Sequence, residues 1–263
     1  MAIGVPFSER YQVGSSLVHS MDARLKLLLT LAYIFAATLT PVGHWLALGL
    51  LAAPLAVAVA VSRLPTLLIL RRSALALPFI VVAVPLLFTK DGDALFTLQP
   101  FGWTASEQGL AAVLTILTKS WLSVVAAIIL TATTPALELL RAMRALAVPR
   151  ILVATVSFMY RYLFVIVEEA QRLLRARDSR SARLEGRRCG GSVWWRADVL
   201  GHMVGSLFLR SYERSERVYA AMQARGYDGE LRFLRHSVWR VAEVVVAVAL
   251  VLYMAGVQVY ARY

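Results

Sequence analysis

The chain has 263 residues, of which 59% are hydrophobic and 17% charged, and a mean hydropathy of +0.65. A soluble domain is roughly 25% charged, so these figures exclude a disordered or collagen-like chain and an ordinary soluble globule, and fit a membrane protein with a substantial aqueous portion. The net charge is +12, 25 of the 28 basic residues are arginine, and the single cysteine, Cys189, excludes a disulfide framework and a multi-cysteine metal cluster.

Residues 1–26 are polar and carry Glu9, Arg10, Asp22, Arg24 and Lys26; no secretory signal is expected, because no short apolar stretch with a cleavage site opens them. Residues 27–62 hold no charge. A span needs about 20 apolar residues, so this stretch predicts two, near Leu25–Pro41 and Trp45–Val61, separated by the turn-prone Pro41-Val42-Gly43-His44. Arg63, Pro65, Arg71 and Arg72 form a short basic connection. Ser73–Thr89 predicts a third span, kinked at Pro78 and Pro85, because each proline lacks the amide its helix would use. Lys90, Asp91, Asp93 and Glu107 mark a polar loop. A fourth span is predicted over about Gln108–Ala132, with Lys119 inside it, and a last over about Val244–Val259. Ile151–Val167, apolar except for Arg161, is a candidate sixth. The fold expected is an all-α integral membrane protein with about five transmembrane helices, or six, and long arginine-rich cytoplasmic helices.

Residues 135–240 hold 19 arginines against 10 acidic residues. Lys/Arg-rich flanks stay on the cytoplasmic side, which places this region, the 63–72 connection and the N-terminal segment inside, and the 90–107 loop outside. Three parts are expected: 1–134 with the first four spans, 135–240 with the cytoplasmic helices, and 241–263 with the last span. Thr134 before Pro135 reads as a helix start, with Thr as the cap and Pro at the first helical position. Leu137, Leu140, Met143 and Leu146 continue at helical spacing until Pro149. A second helix is predicted from about Arg150 to Arg183, a loop at Gly186, Gly190 and Gly191, and a third helix over about Trp194–Arg225, ended by Gly226.

No G-x-x-x-x-G-K-[ST] loop is present, so the chain itself is not expected to hydrolyse ATP. There is no H-E-x-x-H, the four histidines are far apart, and no nucleophile arrangement stands out, so no catalytic, cofactor or metal site is expected. Nucleic-acid binding lacks stacking platforms and a known fold. The arginine clusters then read either as retention by anionic lipid headgroups or as docking elements for acidic grooves of a partner. Ala176-Arg177-Asp178-Ser179-Arg180-Ser181 and Ala224-Arg225-Gly226-Tyr227-Asp228-Gly229 favour docking. Each sets an arginine among small residues near a helix end, where the backbone can approach closely and a guanidinium can make forked hydrogen bonds. Lys119 is expected either to snorkel or to face the bundle interior near a backbone carbonyl, and Arg161 to anchor its helix at the interface.

Several stretches carry a family resemblance. They are residues 16–27 (Ser16-Leu17-Val18-His19-Ser20-Met21-Asp22-Ala23-Arg24-Leu25-Lys26-Leu27), Thr133-Thr134-Pro135, Phe158-Met159-Tyr160-Arg161-Tyr162, Arg210-Ser211-Tyr212-Glu213-Arg214 and Ala221-Met222-Gln223-Ala224-Arg225-Gly226-Tyr227-Asp228-Gly229. Together they resemble the CbiQ family, the transmembrane T components of cobalt-type energy-coupling factor (ECF) transporters. The family usually has Pro where Ala23 stands. Of the family's two Ala-Arg-Gly-like coupling motifs, the second is matched outright by Ala224-Arg225-Gly226. The first motif is degenerate, with Ser179-Arg180-Ser181 the better fit by register and Ala176-Arg177-Asp178 the rival.

The resemblance implies a non-catalytic subunit in the bacterial inner membrane that binds no cofactor of its own. ATP would be used by a dimer of CbiO-like ABC ATPase subunits. A CbiM-like membrane subunit, with a CbiN-like small subunit as an optional addition, would capture cobalt(II), and the T component would join them within the membrane lipids. The same architecture serving nickel or a vitamin is the alternative. A different class, a membrane enzyme acting on lipid phosphates, would need an acid–base pair, for which Asp178, Asp198 and Glu213 are available.

Overall fold

The computed structural model describes residues 14, 16–74, 78, 83–89, 94–98, 103–146, 148–180, 192–229 and 240–263. The fold is all-α apart from one pair of short strands, and the chain divides into two compact units. The first unit comprises residues 1–146 and 235–263, the second residues 147–234.

The first unit opens with a single turn, α1 (Leu17–Ser20), and then α2 (Ala23–Leu39), capped by Asp22 through a 3.0 Å bond from the Arg24 amide. After the turn at Gly43 come α3 (Trp45–Ser62) and α4 (Thr66–Ser73). The predicted third span, Ser73–Thr89, lies largely outside the described residues; its described end is α5 (Leu86–Thr89). The predicted 90–107 loop proves to contain a hairpin, β1 (Ala94–Leu98) antiparallel to β2 (Trp103–Ser106). Its alternating Phe96 and Leu98 against Trp103 and Ala105 give it residues suited to strands. Ser106 then caps α6 (Glu107–Thr133), accepting from the Gly109 amide at 3.0 Å. Gly109 is required by close packing, since a Cβ there would come within 2.7 Å of the Leu87 carbonyl. The unit closes with α7 (Ala136–Ala145) and α10 (Val241–Tyr260). The second unit holds α8 (Arg150–Arg180) and α9 (Val193–Ala224).

The core of the first unit lies between α2, α3, α6 and α10. Ala37, Ala47, Leu51 and Ala132 are wholly buried in it. Three alanines let the backbones approach closely, the usual way helices associate where lipid offers no hydrophobic contrast. Polar side chains then tie the helices across the bundle. Tyr33 donates to the Leu51 carbonyl at 2.9 Å, and Gln258 to the Ala36 carbonyl at 2.6 Å. Lys119 reaches across to α2 and donates to the Thr38 and Thr40 carbonyls at that helix's C-terminal end, the backbone-carbonyl alternative of the two read from sequence. Ammonium is favoured there because the last carbonyls of a helix have no internal donors.

Two expectations at the start of the basic region need correction. Lys26 is not part of a polar leader. It lies in α2, 6% exposed, and its Nζ donates to the His19 carbonyl at 3.2 Å, the Thr133 carbonyl at 3.3 Å and Thr134 Oγ1 at 3.4 Å. Thr134 therefore serves that ammonium rather than capping α7, whose cap residue is Pro135 without a side-chain bond. The region also does not separate at residue 135. Leu140 and Ala142 of α7 are buried against the bundle, so α7 belongs to the first unit.

Four helices among the described residues are long and apolar enough to cross a membrane: α3, α6, α8 and α10. The helix α2, with 17 residues, is about 25 Å long at 1.5 Å per residue, somewhat short of a bilayer's hydrocarbon core. The doubtful stretch Ile151–Val167 is the apolar half of α8.

Candidate coupling surface

The arginine-rich unit is a pair of long helices, α8 and α9, in contact with each other. Ser192 starts α9 by accepting from the Trp195 amide at 3.3 Å. The two helices meet along Phe158, Tyr162 and Ile166 of α8, which face Ser211, Ser215 and Met222 of α9 around a groove of about 380 Å³. The spacing i, i+4, i+8 on one side and i, i+4, i+11 on the other keeps each set on one helix face. Two stretches that carry the family resemblance, 158–162 and 210–214, thus lie against each other.

Beside the groove, Arg210 donates to Glu169 at 2.7 Å, and Arg172 approaches the other carboxylate oxygen at 2.9 Å. Glu169 lies in the charged half of α8, past the apolar stretch, and its side chain is 15% exposed. The bond from Arg210, with the charges of Arg172 and Arg214 behind it, holds its carboxyl below the usual value of 4.5. This cross-helix pair was not singled out from sequence. Its signal was an acid one turn beyond Ile166 on the groove face.

Arg180 lies roughly 16 Å beyond Glu169 along α8, and Arg225 roughly 22 Å beyond Arg210 along α9, at 1.5 Å per residue. Each arginine therefore stands well past the contact, at the C-terminal end of its own helix.

The second motif is held by a Schellman turn. Ala224 ends α9, Arg225 is its cap, and Gly226 turns left-handed at φ +78°. The Gly226 amide donates to the Gln223 carbonyl at 2.9 Å, and the Tyr227 amide to the Met222 carbonyl at 3.0 Å. Tyr227 and Met222 both line the groove, the apolar contact that accompanies this cap. The chain thus turns sharply and leaves Arg225 exposed at the tip, with no ion-pair partner among the described residues.

The first motif ends α8. Arg177 is engaged by its own neighbour, with Nε at 3.2 Å and Nη2 at 2.8 Å from Asp178 Oδ1. Ser179 donates to the Ala176 carbonyl at 2.9 Å. Arg180 is exposed at the last position of the helix and has no ion-pair partner among the described residues. Ser181, and the predicted continuation to Arg183 with the loop glycines, lie outside the described residues. The carboxylates weighed for an enzyme are dispersed. Asp178 is on Arg177, Asp198 is 3.7 Å from His202, and Glu213 is 3.8 Å from Arg217. Among the described residues no three metal-ligating side chains come together.

With this geometry in view, comparison with known proteins gives the class. A family model described as CbiQ, cobalt transport protein, matches residues 14–237. The energy-coupling factor transporter transmembrane protein EcfT of Limosilactobacillus fermentum is 27% identical over 259 residues, covering 92% of this chain and 93% of its own length. The EcfT of Exiguobacterium sibiricum is 30% identical over 196 residues, 69% of this chain and 72% of its own. The cobalt transport protein CbiQ of Rhodobacter capsulatus is 29% identical over 156 residues, 59% of this chain and 61% of its own. The bundle of apolar helices and these likenesses define a multi-pass transmembrane component of a transporter. The chain belongs to the CbiQ family of cobalt transport proteins.

Proposed function

We propose that this chain is the non-catalytic T component of an ECF-type importer and that Arg180 and Arg225 are its grips on a pair of ATPase subunits. ATP is bound and hydrolysed by those partners, and their closure moves the α8–α9 pair. That motion reaches a separate membrane subunit that holds the substrate, cobalt(II). The proposed orientation puts residues 135–240 and the N-terminus in the cytoplasm of a bacterial inner membrane, as their arginine content favours.

The observation that carries this reading is the Schellman cap, which presents Arg225 bare at the end of a helix with no buried residue. An exposed guanidinium flanked by Ala224 and Gly226 fits a narrow acidic groove, where two parallel hydrogen bonds can form. The EcfT of Limosilactobacillus fermentum matches 92% of this chain and the CbiQ relative 59%, which favours as a second reading the same role for another substrate. The double variant Arg180→Ala/Arg225→Ala should lose both ATPase co-purification and metal uptake in cells. Retention of both would refute the assignment, because desolvated charge contacts cost several kcal/mol to break (about 2–5).

A further inference from the structure

The first turn of α9 is the most exposed apolar feature of the arginine-rich unit. Val193 is 79% exposed, Trp194 85% and Trp195 51%. Successive helical residues point roughly 100° apart. The three side chains therefore splay to different sides, and a partner helix laid along one face covers one or two of them. A medium that surrounds the helix end covers all three. The residue types name that medium. Tryptophan combines a large apolar ring with an indole donor and concentrates at the membrane–water boundary. Charge agrees: in sequence, residues 183–196 hold Arg183, Arg187, Arg188 and Arg196 against Glu185. The acid one turn further on, Asp198, lies 3.7 Å from His202. Aromatic insertion with basic flanks is how a helix binds an anionic headgroup layer. The chain is a multi-pass membrane protein, so a headgroup layer is part of its surroundings.

We propose that Val193-Trp194-Trp195-Arg196 is an interfacial anchor that dips into the headgroup layer of an anionic phospholipid membrane. It fixes the start of α9 at the membrane surface independently of whether Arg180 and Arg225 grip ATPases. The full chain, with Cys189→Ser and a nitroxide at either Trp194→Cys or Val193→Cys, is reconstituted in nanodiscs of phosphatidylcholine alone or mixed with phosphatidylglycerol. Collision with oxygen and with a water-soluble nickel complex is measured, with a label at Arg217→Cys as the hydrated reference. In the anionic discs both anchor labels should favour oxygen over nickel severalfold more than the reference, and less so in the neutral discs. A nickel-dominated signal at both positions overturns the proposal, as does exclusion of both reagents, which marks cover by protein. Equal insertion in the two lipids overturns the assigned headgroup charge. Two label positions guard against one substitution disturbing the turn.

Discussion

Tyr253 of α10 donates its hydroxyl to the Leu50 carbonyl of α3 at 3.0 Å, and Leu50 is the residue whose carbonyl Pro54 leaves without a helical donor. A proline four residues on has no amide to give. In a bilayer the bared oxygen must find a donor from a neighbouring helix, and Tyr253 supplies it.

That pairing makes a testable cycle. Tyr253→Phe should destabilise the bundle by about 1 kcal/mol, the scale of interhelical hydrogen bonds in membranes. The same change made with Pro54→Ala should cost much less, because the helix then supplies its own amide. Thermal unfolding of the four purified variants in one detergent measures the coupling. An equal loss in both backgrounds would detach the tyrosine from the proline.

The contact between α8 and α9 should depend on pH in one direction. Glu169 is held below 4.5 in the folded chain by Arg210, so its contribution is complete above about pH 4.5 and is lost as pH falls through the lower folded value. Double electron–electron resonance between labels on α8 and α9 should report a broadening distance on acidification. Glu169→Gln should show a broadened distance at neutral pH and little further response to acid. A Glu169→Gln distance as sharp as wild type at neutral pH contradicts this role for the pair.

Gly226 is held at φ +78°, where a side chain costs roughly 1 kcal/mol or more. Gly226→Ala should fray the last turn of α9 and speed hydrogen exchange at the Tyr227 amide, whose bond to Met222 the turn provides. Gly226→Asn should do less, since asparagine tolerates the left-handed region. No exchange difference between glycine and alanine would mean that the cap does not fix the position of Arg225.

The two candidate arginines at the end of α8 can be separated. Arg177 is taken up by Asp178 at 2.8 Å, whereas Arg180 stands exposed at the helix terminus. Arg180→Ala should therefore lower ATPase co-purification at least about tenfold, as loss of a desolvated charge contact does, with Arg177→Ala near wild type. The opposite order would move the first grip to Arg177.

Much of this architecture is legible in sequence, where one signal decides. The uncharged stretches give α3 and α10 almost to the residue, because nothing competes with apolar helix in lipid. Gly226 gives the end of α9, because a left-handed stop needs glycine. What escaped depends on distant partners. Lys26 sits among charged neighbours in sequence, and its burial follows from three acceptors, two of them more than a hundred residues away. Thr134 beside Pro135 satisfies the local rule for a cap, yet the buried ammonium takes its oxygen instead. Pro54 lies in an apolar run where its missing amide gives no warning, and Tyr253 explains it only once the helices are adjacent. At the coupling surface, the degenerate motif left Arg177 and Arg180 open, and the ion pair to Asp178 is a contact between neighbours that spacing alone does not reveal.

The helix Val193–Ala224 buries none of its 32 residues, with Phe208 68% and Leu209 62% exposed. Oily flanks of that size invite aggregation and quality-control proteases. If the proposed partner subunits cover that helix, overproduction of the chain without them is expected to yield loss rather than surplus.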